Sequence, residues 1–374
     1  SVTPKDDGAQ DVLIDALAPL GFEAMDFSSN GIRNTFFMRK LSSSGDTDNG
    51  PHFCFAGHTD VVPVGDPNKW SKDPFAATIK DDILYGRGAC DMKTGITCFV
   101  TALSEFLNSD YAKSANGALS LLITGDEEAD AIYGTQHVLK ELQNRNMIPD
   151  MVLVGEPTNP TQHGEEIKSG RRGSLSGTLN VFGKQGHVAY PEKADNPLPK
   201  LLTLCQALAS TTFDNGNAYF SATNLEFSSI DTGNTASNVI PANAQAKFNI
   251  RFNDQWSAAK LEQKLHEILA QTNIGNDNFT LECHSNAESF LTPKGAFTDL
   301  VQDAVQHVTG KRPELSTKGG TSDARFIAQY TDVVEYGLIN TSAHEIDEHM
   351  PLHALYDGVK IYHEILKRVF AQAK

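Results

Sequence analysis

The sequence predicts an α/β protein in which a mixed, mostly parallel sheet carries helices on both faces, with an α+β domain inserted into the chain. Short apolar runs alternate with helical stretches in the first half. A period-two pattern typical of strands begins near residue 173, and the first pattern resumes after about residue 285. Strands that alternate with helices usually form a parallel sheet between helical layers.

Three apolar runs of the first half, residues 52–57, 118–123 and 151–154, lead into ionisable residues. These ionisable residues are His58, Asp60, Glu127, Glu128 and Glu156. Because ligands bind beyond the carboxyl ends of parallel strands, the pattern predicts that these side chains share one rim of the sheet. Apolar residues in the segment 96–103 recur at the spacing of one helix face, so a packed helix is predicted there.

The inserted segment has its own pattern of elements. Strands are predicted at residues 174–182 and 244–252, and helices near 197–209 and 257–271. The order strand, helix, strand, strand, helix, strand is that of a split βαβ, or ferredoxin-like, unit.

The last part of the chain returns to the first pattern, with an apolar strand at residues 332–339 that leads into Asn340 and His344. The layout is therefore one domain interrupted by another. The predicted domains are residues 1–172 with 286–374, and the inserted residues 173–285.

Composition excludes several classes of protein. The 374 residues include 31 Lys and Arg against 47 Asp and Glu, a net charge of −16, which argues against nucleic acid or anionic membranes as partners. Five scattered cysteines without a CxxC motif are typical of reduced thiols. No apolar run approaches the ~18 residues of a membrane span, and the first residues lack a secretory signal pattern. We therefore expect a cytoplasmic protein, with a flexible surface loop at residues 42–50.

The ionisable residues at the strand ends are more informative together than singly. An isolated His-x-Asp usually marks a strand-end histidine that a nearby carboxylate satisfies, and an isolated Glu-Glu pair usually lies in a solvated loop. Several carboxylates converging on one rim would cost several kcal/mol each to bury without a cation. Imidazole and carboxylate ligands without a thiolate suit a catalytic Zn²⁺ site, with Co²⁺ or Mn²⁺ as tolerable substitutes.

Four motifs in the first half resemble those of the dinuclear zinc amidohydrolases and exopeptidases, a family that includes aminoacylases and acetylornithine deacetylase. They are GHTDVVP (57–63), GRGACDMKTG (86–95), GDEE (125–128) and GEPT (155–158). Further motifs extend the resemblance over nearly the whole chain, toward a branch whose substrates carry several carboxylates. They are GRRGSLSG (170–177), GKQGHVAYP (183–191), GNAYF (216–220), ASNVIP (236–241), FNIRF (248–252) and GGTSDARF (319–326).

The resemblance implies a zinc-exopeptidase-like catalytic domain with two Zn²⁺ per subunit, which Co²⁺ could replace. The implied ligands are Asp91 to both ions, His58 and Glu156 to one, and Glu128 and His344 to the other. Two Zn²⁺, three carboxylates and one hydroxide sum to zero charge. A cis peptide bond after Asp91 is also implied, and His349 is a competing candidate for the second histidine.

The resemblance implies amide hydrolysis of an N-acyl amino acid. The paired ions lower the pKa of a shared water towards ~7. Glu127 would act as the general base, and Asp60 would accept the second N–H of the His58 imidazole and orient the ring.

His187 alone would be interpreted as a surface histidine. The resemblance instead implies that the inserted domain forms a homodimer and acts as a lid. His187 would then reach the active site of the other subunit and bind the oxyanion, and Asn238 would cross with it.

A substrate with three carboxylates and one ammonium group needs cations in so acidic a protein. Arg171 and Arg251 are the predicted carboxylate partners, although each could equally form a structural salt bridge. Arg172 and Arg325 are expected to be structural. The predicted hydrogen-bonding partners of the substrate are Ser174, Tyr190, Thr321, Ser322 and Asn340.

Three features depart from the family pattern. Relatives have a helix before the point where this chain starts, Ala129 stands where a glycine usually follows GDEE, and SAHEIDEH (342–349) is unusually acidic. Two other functions stay open at this point. One is the same chemistry on another substrate, such as an acetylornithine-like acyl amino acid or a dipeptide, and the other is a metal-free binding protein.

Overall fold

The computed structural model describes residues 1–41 and 50–371, so residues 42–49 of the predicted loop lie outside the described part. The chain forms two compact units. The first consists of Ser1–Ser169, Thr292–Ser316 and Ser322–Lys374, and the second of Gly170–Leu291 and Thr317–Thr321. The second unit interrupts the first in the chain.

The described residues form the following strands and helices. The strands are β1 (Glu23–Asp26), β2 (Thr35–Leu41), β3 (His52–His58), β4 (Thr78–Lys80), β5 (Ile83–Tyr85), β6 (Gly117–Thr124), β7 (Met151–Val154), β8 (Glu166–Lys168), β9 (Gly170–Arg171), β10 (Gly173–Phe182), β11 (Gly186–His187), β12 (Asn224–Asp231), β13 (Val239–Ile240), β14 (Asn243–Phe252), β15 (Phe279–Ala287), β16 (Phe290–Leu291), β17 (Glu314–Ser316), β18 (Asp332–Glu335) and β19 (His349–Pro351). The helices are α1 (Ala9–Leu17), α2 (Lys93–Leu107), α3 (Asp110–Lys113), α4 (Thr135–Asn144), α5 (Pro197–Ala209), α6 (Ala258–Ala270), α7 (Ala296–Thr309), α8 (Ala324–Ile327) and α9 (Leu352–Ala371).

The first unit contains an eight-stranded mixed sheet in the order β1-β2-β6-β3-β7-β18-β8-β17. Its central strands β6, β3, β7 and β18 are parallel to one another. The strands β1 and β2 at one edge are antiparallel, and β8 runs antiparallel to β18. The predicted α/β class is confirmed, and the parallel strands are those that carry the ionisable residues.

The centre of this sheet is buried by aromatic packing from α2 and α9. The Phe55 ring on β3 stacks on the Phe99 ring of α2 with 4.2 Å between centroids. The Tyr362 ring of α9 meets both rings edge-on, at 5.7 Å from each. The helix predicted from the apolar spacing therefore forms, and it covers the strand that ends at the predicted site.

Strand β18 is shorter than the sequence pattern predicts. It ends at Glu335 rather than near residue 339. A Cβ atom at Gly337 would lie 2.3 Å from the carbonyl oxygen of Glu156, so the chain here passes close to the backbone that follows β7. That contact needs a glycine and interrupts the strand.

The second unit is an antiparallel four-stranded sheet in the order β12-β14-β10-β15, with α5 and α6 packed on it. Its elements follow each other as strand, helix, strand, strand, helix, strand, the order predicted from the sequence. Burial alternates along β14, as the period-two pattern requires. Gly177 of β10 lies opposite Phe248, whose ring would be 2.1 Å from a Cβ atom at residue 177.

Smaller sheets complete both units. Strands β4, β5 and β19 form a three-stranded sheet in the first unit, and β9–β16 and β11–β13 form two-stranded antiparallel ribbons in the second. Within residues 1–41 and 50–371, no helix combines the length and the apolar character needed to cross a bilayer.

Candidate metal centre and active site

Three neighbouring parallel strands bring ionisable residues to one rim of the large sheet. His58 is the last residue of β3, Glu127 and Glu128 follow β6, and Glu156 follows β7. Strand β3 lies between β6 and β7, with His58 opposite Thr124 in the register. The convergence predicted from the strand ends is therefore present in the structure.

His58 is buried and faces three carboxylates. Its Nε2 atom lies 3.3 Å from Asp91 Oδ1 and 3.5 Å from Glu156 Oε1. Glu127 Oε2 lies 3.9 Å from the same nitrogen. A single imidazole nitrogen thus points into a group of three acidic side chains.

His344 faces the other side of the same cluster from a loop between β18 and β19. Its Nε2 atom lies 2.9 Å from Glu128 Oε1 and 3.3 Å from Asp91 Oδ2. The two oxygens of Asp91 therefore point toward different histidines. This is the arrangement that a bridging carboxylate needs.

Asp91 lies in the turn before α2, and its peptide bond to Met92 is cis. The cis bond expected at this position is confirmed. The backbone N–H of Asp91 donates to Glu348 Oε1 at 3.0 Å.

Asp60 has a wider role than the sequence indicates. The acceptor nearest to His58 Nδ1 is the backbone carbonyl of Asp60, at 3.0 Å, whereas its carboxylate Oδ1 lies at 3.4 Å. The same carboxylate accepts the backbone N–H groups of Glu127 at 3.3 Å and Glu128 at 3.0 Å. Asp60 therefore fixes the imidazole of His58 and the turn that carries the two glutamates.

The charges of the cluster shift its histidines toward the protonated form. Burial by itself would lower the pKa of His58, but Asp60, Asp91 and Glu156 outweigh burial and raise it. Hydrogen bonds with Asp91 and Glu128 raise the pKa of His344 to about 10. Without a metal ion, both imidazoles therefore favour the protonated form, whose positive charge offsets the same carboxylates that a cation would neutralise.

The carboxylates respond in opposite directions. Burial raises the pKa of Glu127, and the charge of Glu156 raises it further. Burial and the charge of Asp91 raise the pKa of Glu156 to about 7. Burial also acts on Asp91, but His344 and His58 outweigh it and lower the pKa of that carboxyl group.

The donor set fits divalent cations. In each of two three-residue groups, the ligand atoms lie within 4.8 Å of one another. The groups are His58, Glu127 and Glu156, and His58, Asp91 and Glu128. In the described part of the chain, the ion-pair partners of these carboxylates are histidines, with no Lys or Arg among them. Imidazole and carboxylate donors without a protein cation suit Zn²⁺ or a similar ion.

The competing histidine lies in a different environment. His349 Nδ1 is 2.8 Å from the carbonyl oxygen of Asp347, and its ring packs on Tyr85 with centroids 5.6 Å apart. His344 is therefore the histidine that the structure brings to the acidic cluster.

His187 and Asn238 are neighbours in the second unit, where His187 ends β11 and Asn238 directly precedes β13. The backbone N–H of Val188 donates to the carbonyl oxygen of Asn238 at 3.1 Å, and both predicted residues are exposed. His187 Nδ1 accepts the backbone N–H of Ala189 at 3.0 Å. This contact assigns the proton of the neutral ring to Nε2, which can then donate.

Three of the predicted hydrogen-bonding partners of the substrate also lie in the second unit: Ser174, Tyr190 and Thr321. Tyr190 is exposed, with its ring 5.8 Å from that of His187. Ser174 is buried, and its hydroxyl oxygen accepts from Asn249 Nδ2 at 3.1 Å. Their roles in binding stay predictions.

The arginines of the second unit form two groups. Arg171 is buried and donates through Nη1 to the carbonyl oxygen of Gly320 at 2.9 Å, next to Thr321. Arg251 is half-buried, and burial together with the charge of Arg172 lowers its pKa. Arg251 has no acidic partner among residues 1–41 and 50–371, so an anion would relieve the repulsion between these two cations.

Ser322 and Asn340 belong to the first unit. The hydroxyl of Ser322 is buried and donates to Glu335 Oε1 at 2.5 Å. Asn340 is exposed, with Oδ1 at 3.9 Å from the Sγ atom of Cys90, the neighbour of Asp91. Arg325 is buried with its guanidinium over the Phe326 ring, in keeping with the structural role expected for it.

The alanine that replaces the usual glycine after GDEE is accommodated without a left-handed backbone. The N–H of Ala129 closes a turn on the carbonyl oxygen of Asp126 at 3.2 Å. The left-handed conformation occurs two residues later, at Ala131, with φ 52°.

Sequence reasoning missed Glu348. The sequence shows only that its segment is unusually acidic, yet the Glu348 side chain is fully buried and accepts hydrogen bonds from the turn that carries Asp91. An acid four residues after a predicted ligand is the only signal that the sequence offers.

Comparison with known proteins gives a consistent result. The sequence profile of the peptidase family M20/M25/M40 matches residues 54–368. A curated relative from Parvibaculum lavamentivorans, named succinyl-diaminopimelate desuccinylase, is 47% identical over 374 residues, 99% of this chain and 93% of the relative. A relative of the same name from Rhodopseudomonas palustris is 48% identical, over 99% of this chain and 95% of its own length.

Solved structures share the fold at lower sequence identity. The M20 family metallo-carboxypeptidase Sso-CP2 from Sulfolobus solfataricus has a TM-score of 0.79 and 18% identity, over 98% of this chain and 94% of that one. The YXEP protein of Bacillus subtilis, described as a dinuclear metal-binding peptidase of the M20 family, has a TM-score of 0.72 and 15% identity, over 100% and 94%.

Proposed function

The chain belongs to the peptidase family M20/M25/M40, and from this premise we propose that it removes the succinyl group from N-succinyl-L,L-2,6-diaminopimelate. The products would be succinate and L,L-diaminopimelate, a precursor of lysine and of the cell wall. Two observations together carry the proposal. Two histidines face opposite oxygens of Asp91 within an acidic cluster. Relatives named for this activity match nearly the full chain at 46–48% identity.

The metal complement is two Zn²⁺ per subunit, with Co²⁺ as a possible substitute. The proposed ligands are Asp91 to both ions, His58 and Glu156 to one, and Glu128 and His344 to the other. Two histidines facing opposite oxygens of Asp91 support this division. Glu127 also lies within reach of a cation, so its role as a base rather than a ligand needs a direct test.

When bound, the two cations supply Lewis acidity that makes water a better nucleophile and polarises the amide carbonyl. Glu127 accepts the proton of the attacking water and returns it to the leaving nitrogen. Asp60 keeps Glu127 in position through the backbone N–H that it accepts.

Substrate carboxylates would be held by Arg171 and Arg251, with Ser174, Tyr190, Thr321, Ser322 and Asn340 as the hydrogen-bonding partners. Arg251 supports this assignment, because the like charge of Arg172 lowers its pKa and a bound carboxylate would offset that repulsion. A guanidinium pairs with a carboxylate through two parallel hydrogen bonds, which also selects for geometry. Ser322 would have to exchange its hydrogen bond with Glu335 to take part.

We further propose a homodimer formed through the second unit, in which the partner subunit's His187 donates to the oxyanion and Asn238 crosses with it. The Nε2–H tautomer assigned by the contact with Ala189 supports this role. A cytoplasmic location agrees with five free cysteines, and the charge of −16 argues against nucleic acid as a partner.

The deciding experiment measures hydrolysis of N-succinyl-L,L-diaminopimelate, N-acetylornithine and a dipeptide by the apo-protein titrated with Zn²⁺. We expect the succinylated substrate to be preferred, with activity rising as the ions bind. Preference for acetylornithine or the dipeptide would contradict the proposed substrate. A protein that binds no zinc and hydrolyses nothing would favour the binding-protein alternative.

A further inference from the structure

Glu348 is a fully buried acid whose two oxygens receive four N–H donors from one short segment. Oε1 accepts the backbone N–H of Cys90 at 2.7 Å and that of Asp91 at 3.0 Å. Oε2 accepts the backbone N–H of Gly88 at 3.0 Å and Nη1 of Arg87 at 2.7 Å. Four donors occupy the whole accepting capacity of a carboxylate, so Glu348 has no lone pair left to ligate a cation.

These contacts join the two segments that carry Asp91 and His344. Glu348 lies four residues after His344, and its own carbonyl oxygen accepts the N–H of Gly86 at 3.0 Å. The Ser342 hydroxyl donates to the carbonyl oxygen of His349 and accepts its N–H, both at 2.9 Å, which closes the loop between them. The distance between Asp91 and His344 is therefore set by a connection that includes Glu348.

The charge of Glu348 is balanced within the protein. The Arg87 side chain is buried with it, lies over the Trp70 ring at 5.1 Å and donates through Nη2 to the carbonyl oxygen of Pro63 at 3.3 Å. Such a pair could exist for stability alone. What distinguishes a positioning role is that Oε1 faces Cys90 and Asp91 rather than the arginine.

We propose that Glu348 is a positioning residue for the metal centre: by accepting the N–H groups of Cys90 and Asp91, it orients the Asp91 carboxylate so that one oxygen faces each histidine. The inference rests on the proposed function, because it assumes that Asp91 bridges two cations. It adds a residue that touches neither cation nor substrate and acts only through Asp91.

The substitutions Glu348→Ala and Glu348→Gln separate positioning from stability. Alanine removes both acceptor oxygens, whereas glutamine keeps one acceptor oxygen and turns an NH2 group toward the other pair of donors. We expect Glu348→Ala to weaken binding of at least one Zn²⁺ by about 10–100-fold, the usual cost of removing a partner of a ligand. Glu348→Gln should recover part of this loss.

The matched control is Asp214→Asn in the second unit. Asp214 also accepts two backbone N–H groups, from Gly216 at 2.7 Å and Thr223 at 3.1 Å, and one from the Trp256 indole at 2.9 Å. Loss of this acceptor should lower the urea midpoint of unfolding and leave zinc affinity unchanged.

The measurements are calorimetric titration of each apo-protein with Zn²⁺ and the visible absorption of its Co²⁺ form, which reports ligand geometry independently of turnover. We expect wild type to bind two ions, and Glu348→Ala to bind zinc more weakly and to change the Co²⁺ spectrum.

If wild type binds two ions and both Glu348 variants match its affinity and spectrum, the inference is wrong while the proposed function stands. If Glu348→Ala does not fold, unaltered affinity in Glu348→Gln overturns the inference. Fewer than two ions in wild type would contradict both proposals.

Discussion

The Nε2 atom of His344 lies 2.9 Å from Oε1 of Glu128, although 216 positions separate the two residues in the chain. Glu128 follows β6 and His344 follows β18, and two further strands lie between these in the sheet. The pairing therefore comes from the tertiary fold. Since the side chains already face each other, little rearrangement is needed for them to share a cation.

Substitution of His344 tests the second cation position. We expect His344→Ala to keep one Zn²⁺ per subunit and to lose the other, because Glu128 and Asp91 would share no imidazole. Metal content after dialysis against limiting free Zn²⁺ measures the effect. His349→Ala is the control, since that ring packs on Tyr85 and should leave both ions bound. Equal zinc content in the two variants would exclude His344 as a ligand.

Glu127→Gln tests the general base. The amide keeps the size of the side chain but cannot take a proton from water, so kcat should fall on the order of 10²–10⁴-fold. Two zinc ions should remain bound, because the proposed ligand set does not include Glu127. The exposed Asp130 in the same loop supplies the control Asp130→Asn, for which we expect near wild-type turnover. A Glu127→Gln protein with substantial turnover would assign the proton transfer to another group, and one lacking zinc would make Glu127 a ligand.

The rim of the large sheet could be predicted from the sequence because it depends on local patterns. His58, Glu127, Glu128 and Glu156 each follow a short apolar run, and parallel strands end at the same edge. The inserted unit was equally recognisable, since the alternating burial of β14 follows directly from its period-two pattern.

The rest of the site depends on contacts that no local pattern encodes. Asp91 and His344 lie in irregular segments. The apolar run at residues 332–339 predicts only that His344 lies beyond a strand, and the family resemblance is needed to make either residue a ligand. Glu348 reads as a solvent-exposed acid within an acidic stretch, but its partners are backbone N–H groups 257 to 260 positions earlier in the chain. Every residue type except proline carries the same backbone N–H donor, so the sequence does not reveal which acid will accept from it.

His52 predicts a pH dependence of stability away from the metal centre. Burial lowers its pKa from the ordinary 6.5 to about 4, although Asp150 partly opposes the effect. Unfolding exposes the ring, which then binds a proton below its ordinary pKa. The contribution of the buried, neutral ring to the free energy of unfolding is therefore complete above pH 6.5 and is lost as pH falls toward 4. Over this range the free energy of unfolding changes by about 3 kcal/mol through His52.

Urea unfolding of the apo-protein across this pH range measures the contribution of His52. In His52→Gln the free energy of unfolding should fall less steeply between pH 6.5 and 4 than in wild type. The exposed His266 on α6 provides the control His266→Gln, which should keep the wild-type slope. Parallel pH profiles for wild type and His52→Gln would show that His52 does not carry the effect.

Complementation between two inactive variants tests whether His187 acts across the proposed dimer. Glu127→Gln and His187→Ala should each be nearly inactive with zinc bound. In a heterodimer, the His187→Ala protomer retains Glu127 and receives the partner subunit's His187, so one of the two sites is complete. Random exchange makes half of the dimers mixed, and activity should recover to about a quarter of wild type.

Mixing Glu127→Gln with Glu156→Ala is the control, because each protomer then lacks a residue of its own site and nothing is restored. If His187 served its own subunit, the first mixture would stay as inactive as the control, and the proposed exchange across the dimer would be wrong.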